Sequence, residues 1–143
     1  MEEYRAIDSD SSYKAGPRRF TGLNVQYPIS ELILSGKKTI ETRTYPIPKK
    51  YLNRDLLLIE TPGKSGKFKS RAVAIIRFSR CFQYQSSKDF YLDRSRHFVS
   101  PESPWAWLDK NPKWGWEIDG LRLIAPKTVT KRLGIKFTLD LTI

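Results

Sequence analysis

The octapeptide Gly36-Lys37-Lys38-Thr39-Ile40-Glu41-Thr42-Arg43 gathers two lysines, a glutamate and an arginine at fixed spacing. Lys38 and Arg43 supply donors for a phosphate or a base carbonyl; the planar guanidinium of Arg43 forks onto two acceptors, where the Lys38 ammonium acts as a point charge. Glu41 accepts from an exocyclic amine, the group that separates cytosine or adenine from uracil. Lys37, Thr39 and Tyr45 flank these three and complete a candidate contact set. If the site turns a substrate over, Lys38 serves as base or electrostatic stabiliser and Glu41 as proton shuttle or ligand of a divalent ion. The same three charges also describe an ordinary ion network at a strand end.

Positioning these groups requires a helix exit followed by a strand. Leu23, Val25 and Tyr27 alternate with polar or small neighbours, which predicts a first strand closed by Pro28. Ser30 is the expected N-cap of a short helix carrying Glu31 in its first turn and Ile29, Leu32 and Ile33 on its apolar face; Gly36 suits the left-handed position beyond its end. From Thr39 to Tyr45 the chain favours extension, so Thr39, Glu41, Arg43 and Tyr45 share one face, with Glu41 and Arg43 about 7 Å apart along the pleat. Strict alternation sends Lys38 away from that face, although it lies at the helix-to-strand junction where the period breaks; only the family resemblance drawn below implies that it reaches the same pocket.

Further along, Leu56 to Thr61 reads as a buried strand, and Arg71 to Phe82 as a central strand with apolar groups on both faces. Gly63-Lys64-Ser65 lacks the upstream glycine of a phosphate loop, since Leu58 stands there. Ser87 is expected to cap a short helix through Leu92. Four tryptophans follow, Trp105, Trp107, Trp114 and Trp116. Of these, Trp105 and Trp107 lie in a polar, proline-flanked loop and are the candidates for stacking on a base. Asp119-Gly120 predicts a hairpin turn, and Ile135 to Ile143 a final alternating strand. His97 reads as a surface residue and Cys81 as a packed one.

The 143 residues suit one domain, expected over 21–143 behind a flexible N-terminal tail over 1–20. Twenty-six lysines and arginines against 15 acids give a net charge of +11, the footprint of a nucleic-acid partner or of a solubilising surface. With one cysteine and one histidine there is neither an internal disulfide nor a ligand set for structural zinc, so no resident cofactor is expected. No apolar run approaches a membrane span, and the reading is a cytoplasmic protein without a membrane partner.

The spacing Gly-x-Lys-x-x-Glu-x-Arg at Gly36 to Arg43 resembles the signature of the ASCH domain family of the PUA-like superfamily. Tyr27-Pro28-Ile29 and the Trp114-Gly115-Trp116-Glu117-Ile118 segment are similar to flanking parts of that family. The resemblance implies an α+β fold, a PUA-like mixed-sheet β-barrel of about six strands with two or three short helices. It also implies RNA or a modified nucleoside as partner. One branch of the family is similar to N4-acetylcytidine amidohydrolases, whose lysine Lys38 matches; Glu41 stands where that branch carries threonine. Another is similar to a metal-assisted single-strand ribonuclease, with which a divalent ion at Glu41 is compatible. Three functions therefore stand as expectations: a module binding RNA or a modified base, a hydrolase on the same cleft, and a protein-binding adaptor in transcription or RNA metabolism.

Overall fold

A computed structural model describes residues 18–143. The expected tail lies outside the described residues up to residue 17. Its last part does not: β1 runs Arg19–Gln26, two residues ahead of the expected domain start. The elements that follow are α1 (Ile29–Leu34), β2 (Ile40–Arg43), a single 3₁₀ turn (Lys49–Tyr51), β3 (Leu56–Thr61), β4 (Arg71–Gln83), α2 (Ser87–Leu92), α3 (Arg94–His97), β5 (Trp114–Thr128) and β6 (Phe137–Thr142). The strands form one mixed sheet in the order β2-β5-β4-β3-β1-β6, in which β1 and β3 are parallel and every other pair antiparallel. This is the α+β architecture expected, with six strands and three short helices. No helix among the described residues is long and apolar enough to cross a membrane.

The sheet is buried on both sides at its centre. Leu56 and Leu58 of β3 point into one apolar cluster with Leu23, Val25, Ile33, Ile76, Phe78 and Trp116. The alternate residues Leu57 and Ile59 join a second with Phe20, Ala72, Ile75 and Leu141. A strand whose successive side chains are all apolar is what a two-sided core demands. Gly22 of β1 lies where this packing is tightest: a Cβ there would come within 2.6 Å of Leu141 and 2.8 Å of Ile59.

The sheet curls until its two ends meet through side chains. Arg43, on the edge strand β2, donates from Nη2 to the carbonyl of Asn24 in β1 at 2.9 Å. Lys136, just before β6, lies 4.0 Å above the ring of Tyr45, just after β2. Trp116 of β5 lies parallel to Phe137 of β6 at 6.3 Å and donates from its indole to the Tyr45 carbonyl at 3.2 Å. The outer edge of β6 is occupied in another way. Lys131 donates to the Leu139 carbonyl at 2.7 Å, and Asp140 leaves the extended region at φ +57°.

Several local expectations are corrected. Asp119-Gly120 is not a hairpin: β5 is continuous for 15 residues, and the ladder with β4 shifts where Arg77 pairs with Gly120 but Phe78 with Ile118. The extra residue makes a bulge, a second use of the same flexible dipeptide. Ser30 is not the N-cap of α1. Pro28 holds that place, and Ser30, buried in the first turn, donates to Glu60 at 2.5 Å. The cap of α2 is Ser86, whose hydroxyl accepts from the Asp89 N–H at 3.1 Å. Strand β2 is shorter than the Thr39 to Tyr45 expectation, and Ile135 lies ahead of β6, 95% exposed.

His97 is buried, not a surface residue. Its Nε2 bonds the Phe90 carbonyl at 2.6 Å, its Nδ1 accepts from the Val99 N–H at 2.9 Å, and its ring stacks on Phe90 at 4.1 Å. These two backbone partners require the neutral imidazole with its proton on Nε2. The residue thereby fastens the chain after α3 to the third apolar cluster, Tyr84, Phe90 and Val99.

Two outcomes follow for stability. Arg43→Lys keeps the charge but cannot serve three acceptors on different elements, and should lower the unfolding free energy by about 1–3 kcal/mol in urea titrations. Burial, partly offset by the Phe90 hydrogen bond, holds the His97 pKa below its usual value; Lys38 and Arg94 press it further down and Asp93 pulls it up. The unfolded chain therefore takes up this proton first as pH falls. The His97 contribution should be complete above about pH 6.5 and be lost on acidification towards the depressed native pKa, in thermal melts that His97→Gln renders flatter.

Candidate nucleotide-binding cleft

Lys38 reaches its place because α1 ends at Gly36, whose φ of +83° turns the chain back so that the Lys38 N–H bonds the Leu32 carbonyl at 2.9 Å. From there the side chain runs inward, 3% exposed. Its ammonium donates to the His97 carbonyl at 2.5 Å and stands 3.8 Å from Glu41 Oε1. Glu41 and Arg43, two apart on β2, project to the same side, and Arg43 Nε donates to Glu41 Oε2 at 2.7 Å. The second strand contact of α3 is backbone: the Thr39 N–H donates to the Arg96 carbonyl at 2.9 Å.

The three charges border one cleft of about 300 Å³, lined also by Asn24, Gln26, Thr42, Phe98, Ser103 and Trp105. Burial lowers the Lys38 pKa; the Glu41 carboxylate opposes that shift and Arg43 reinforces it. For Arg43 burial acts downward too, but the Glu41 and Tyr45 partners outweigh it and the guanidinium is held more firmly charged. Lys113, which no sequence signal singled out, is buried one residue before β5. Its pKa is lowered by burial and raised by the charge of Glu41. Glu41 thus sits in the field of three cations.

The sequence-predicted residues divide sharply. Lys38, Glu41, Arg43 and Trp105 line the cleft; Lys37, Thr39, Tyr45 and Trp107 do not. Arg43 is not a free fork for a ligand: Nε serves Glu41, Nη1 the Tyr45 hydroxyl at 3.2 Å and Nη2 the Asn24 carbonyl. Tyr45 acts through Arg43. Trp107 packs on Phe90 at 5.6 Å and donates its indole N–H to Asp109 at 2.7 Å, which makes it an anchor of its own loop. Trp116 is wholly buried, whereas Trp105 is 40% exposed.

The donor set does not suit a divalent ion. A single carboxylate is offered, one oxygen of it already bonded to Arg43, and no three His, Cys, Asp or Glu side chains converge among the described residues. What the arrangement offers chemically is an oriented acceptor, Glu41, beside a dehydrated cation, Lys38, with an apolar ring at the rim.

Neither a protein-family model nor a curated protein sequence matches this chain. Solved structures do. The crystal structure of ASCH from Zymomonas mobilis matches with a TM-score of 0.65 at 14% identity, over 83% of this chain and 85% of that one. A serine-to-alanine mutant of the Zymomonas mobilis protein matches at 0.64 and 15% identity, over 85% and 88%. A tyrosine-to-phenylalanine mutant of it matches at 0.59 and 14% identity, over 85% and 90%. The curled six-stranded sheet with its three short helices is therefore the fold of the ASCH proteins.

Proposed function

We propose that the cleft binds a base of single-stranded RNA or a modified nucleoside. One observation carries the reading: Glu41 is buried, held in place by Arg43 on one oxygen, and directed with Lys38 at a cleft that has an exposed tryptophan on its rim. A carboxylate so fixed accepts from the exocyclic amine of cytosine or adenine, and the adjacent ammonium donates to a ring carbonyl. The net charge of +11 favours a polyanionic ligand whose backbone passes over the surface around the cleft. No divalent ion is needed for such binding.

A second reading rests on the lowered pKa of Lys38. A lysine that burial makes easier to deprotonate than a free one is better suited to general-base work in a hydrolase on the same cleft. Because Glu41 stands where the amidohydrolase branch has threonine, release of acetate from N4-acetylcytidine is expected to be weak or absent in the parent and to appear in Glu41→Thr. Lys38→Met, which keeps the stem that fills the buried channel, should abolish whatever hydrolysis is found.

Binding is tested by fluorescence titration with cytidine, uridine and short single-stranded RNA. Affinity for RNA should fall with salt, each phosphate contact adding about 0.7 to the log–log slope. Glu41→Gln should weaken cytidine about tenfold and leave uridine nearly unchanged. Salt-independent RNA binding, or equal losses for the two nucleosides, would count against the assignment of these roles.

A further inference from the structure

Phe98 ends α3 with φ +58°, in the left-handed region that bulky residues rarely enter. Its own N–H donates to the Arg94 carbonyl at 2.8 Å, the last bond of the helix before the chain turns away. Such a position is ordinarily given to glycine or asparagine. Burial does not offset the strain, because Phe98 is 42% exposed and makes no aromatic pair among the described residues. On either side the chain is fixed: His97 and Val99 are both buried, and the Val99 N–H is bonded to the His97 ring. A strained backbone between two anchored neighbours holds an exposed apolar ring on the wall of the cleft.

The same cleft carries a second exposed ring, Trp105, whose N–H is bonded to the Ser103 hydroxyl at 3.1 Å. It too makes no aromatic pair among the described residues. Two solvent-facing rings on one cleft do little for a bare phosphate, which needs donors. They suit a flat, apolar-faced ligand whose polar atoms lie around its edge.

We propose that Phe98 and Trp105 are the stacking residues of the cleft and receive the face of a heteroaromatic base, whose edge is turned towards Lys38 and Glu41. This inference rests on the nucleobase reading above and adds to it the pair of residues that supplies affinity independently of base identity. Stacking tolerates any base, since every base has a π-face; discrimination is left to the Glu41 edge.

The test compares Phe98→Gly and Phe98→Tyr in the full chain, with pentacytidylate RNA and an abasic RNA of the same length as probes. Phe98→Gly should weaken pentacytidylate about 5- to 100-fold while leaving the abasic strand within about twofold. Its thermal midpoint should be unchanged or raised, because glycine adopts this backbone without strain. Phe98→Tyr should bind like the parent. Parent-like binding of pentacytidylate by Phe98→Gly overturns the inference and leaves the nucleobase reading standing. A loss of affinity equal for both strands, or one accompanied by a matching loss of thermal stability, also overturns it by making Phe98 structural. A parent protein that binds neither strand overturns both.

Discussion

A carboxylate taken out of water stays ionised only if cations are brought to it, and most of what surrounds Glu41 can be read as the means of bringing them. Arg43 comes from the same strand. Lys38 comes from the helix exit, and needs both the left-handed turn at Gly36 and the His97 carbonyl to be held there. Lys113 comes from the approach to β5. Breaking a buried pair of this kind by removing one member costs about 3–5 kcal/mol, because the survivor is left charged and dry. Site and fold are therefore coupled at this point: the residues that would meet a ligand also keep each other stable.

That coupling explains the division of labour between Lys38 and Arg43. Arg43 joins β2 to β1 through the Asn24 carbonyl and so closes the curl of the sheet, with every side of its fork engaged. It orients Glu41 and has little left to offer a ligand. Lys38 has one strong partner and two further N–H groups on an ammonium that borders the cleft. The walls differ in kind as well. One is made by β1, α1 and β2, elements of the core; the other is the chain after α3, held by His97 and carrying Phe98, Ser103 and Trp105.

The strand alternation made Glu41 and Arg43 legible as neighbours in the sequence, and Leu56 to Ile59 of β3 and Ala72 to Ile76 of β4 were legible because a two-sided core favours unbroken apolar runs. Lys38 could be placed only through the resemblance at Gly36 to Arg43, since strict alternation sends it away from Glu41 and Arg43. His97 was placed wrongly, at the surface, and Phe98 not at all: the bond from Lys38 to the His97 carbonyl joins positions 59 residues apart, and no local pattern encodes that approach. A lone histidine in a polar stretch looks exposed until Phe90 and Val99 are seen to enclose it. Asp119-Gly120 misled for a different reason. The dipeptide lowers the cost of a turn and of a bulge alike, and pairing with β4 along most of its length keeps β5 continuous.

The Lys131 side chain, laid against β6 from the preceding loop, has a bearing on how this basic chain meets its own copies. An unpaired strand edge is a template for sheet growth. Here the outermost carbonyls of Leu139 and Asp140 face an ammonium, at 2.7 and 3.5 Å, and the left-handed turn at Asp140 ends the flat surface another strand would need. At the opposite end of the sheet, Arg43 and Tyr45 bind β2 back towards β1 and Lys136. The edge strand β6 is thereby a poor template for a second copy, and the net charge of +11 sets such copies against one another.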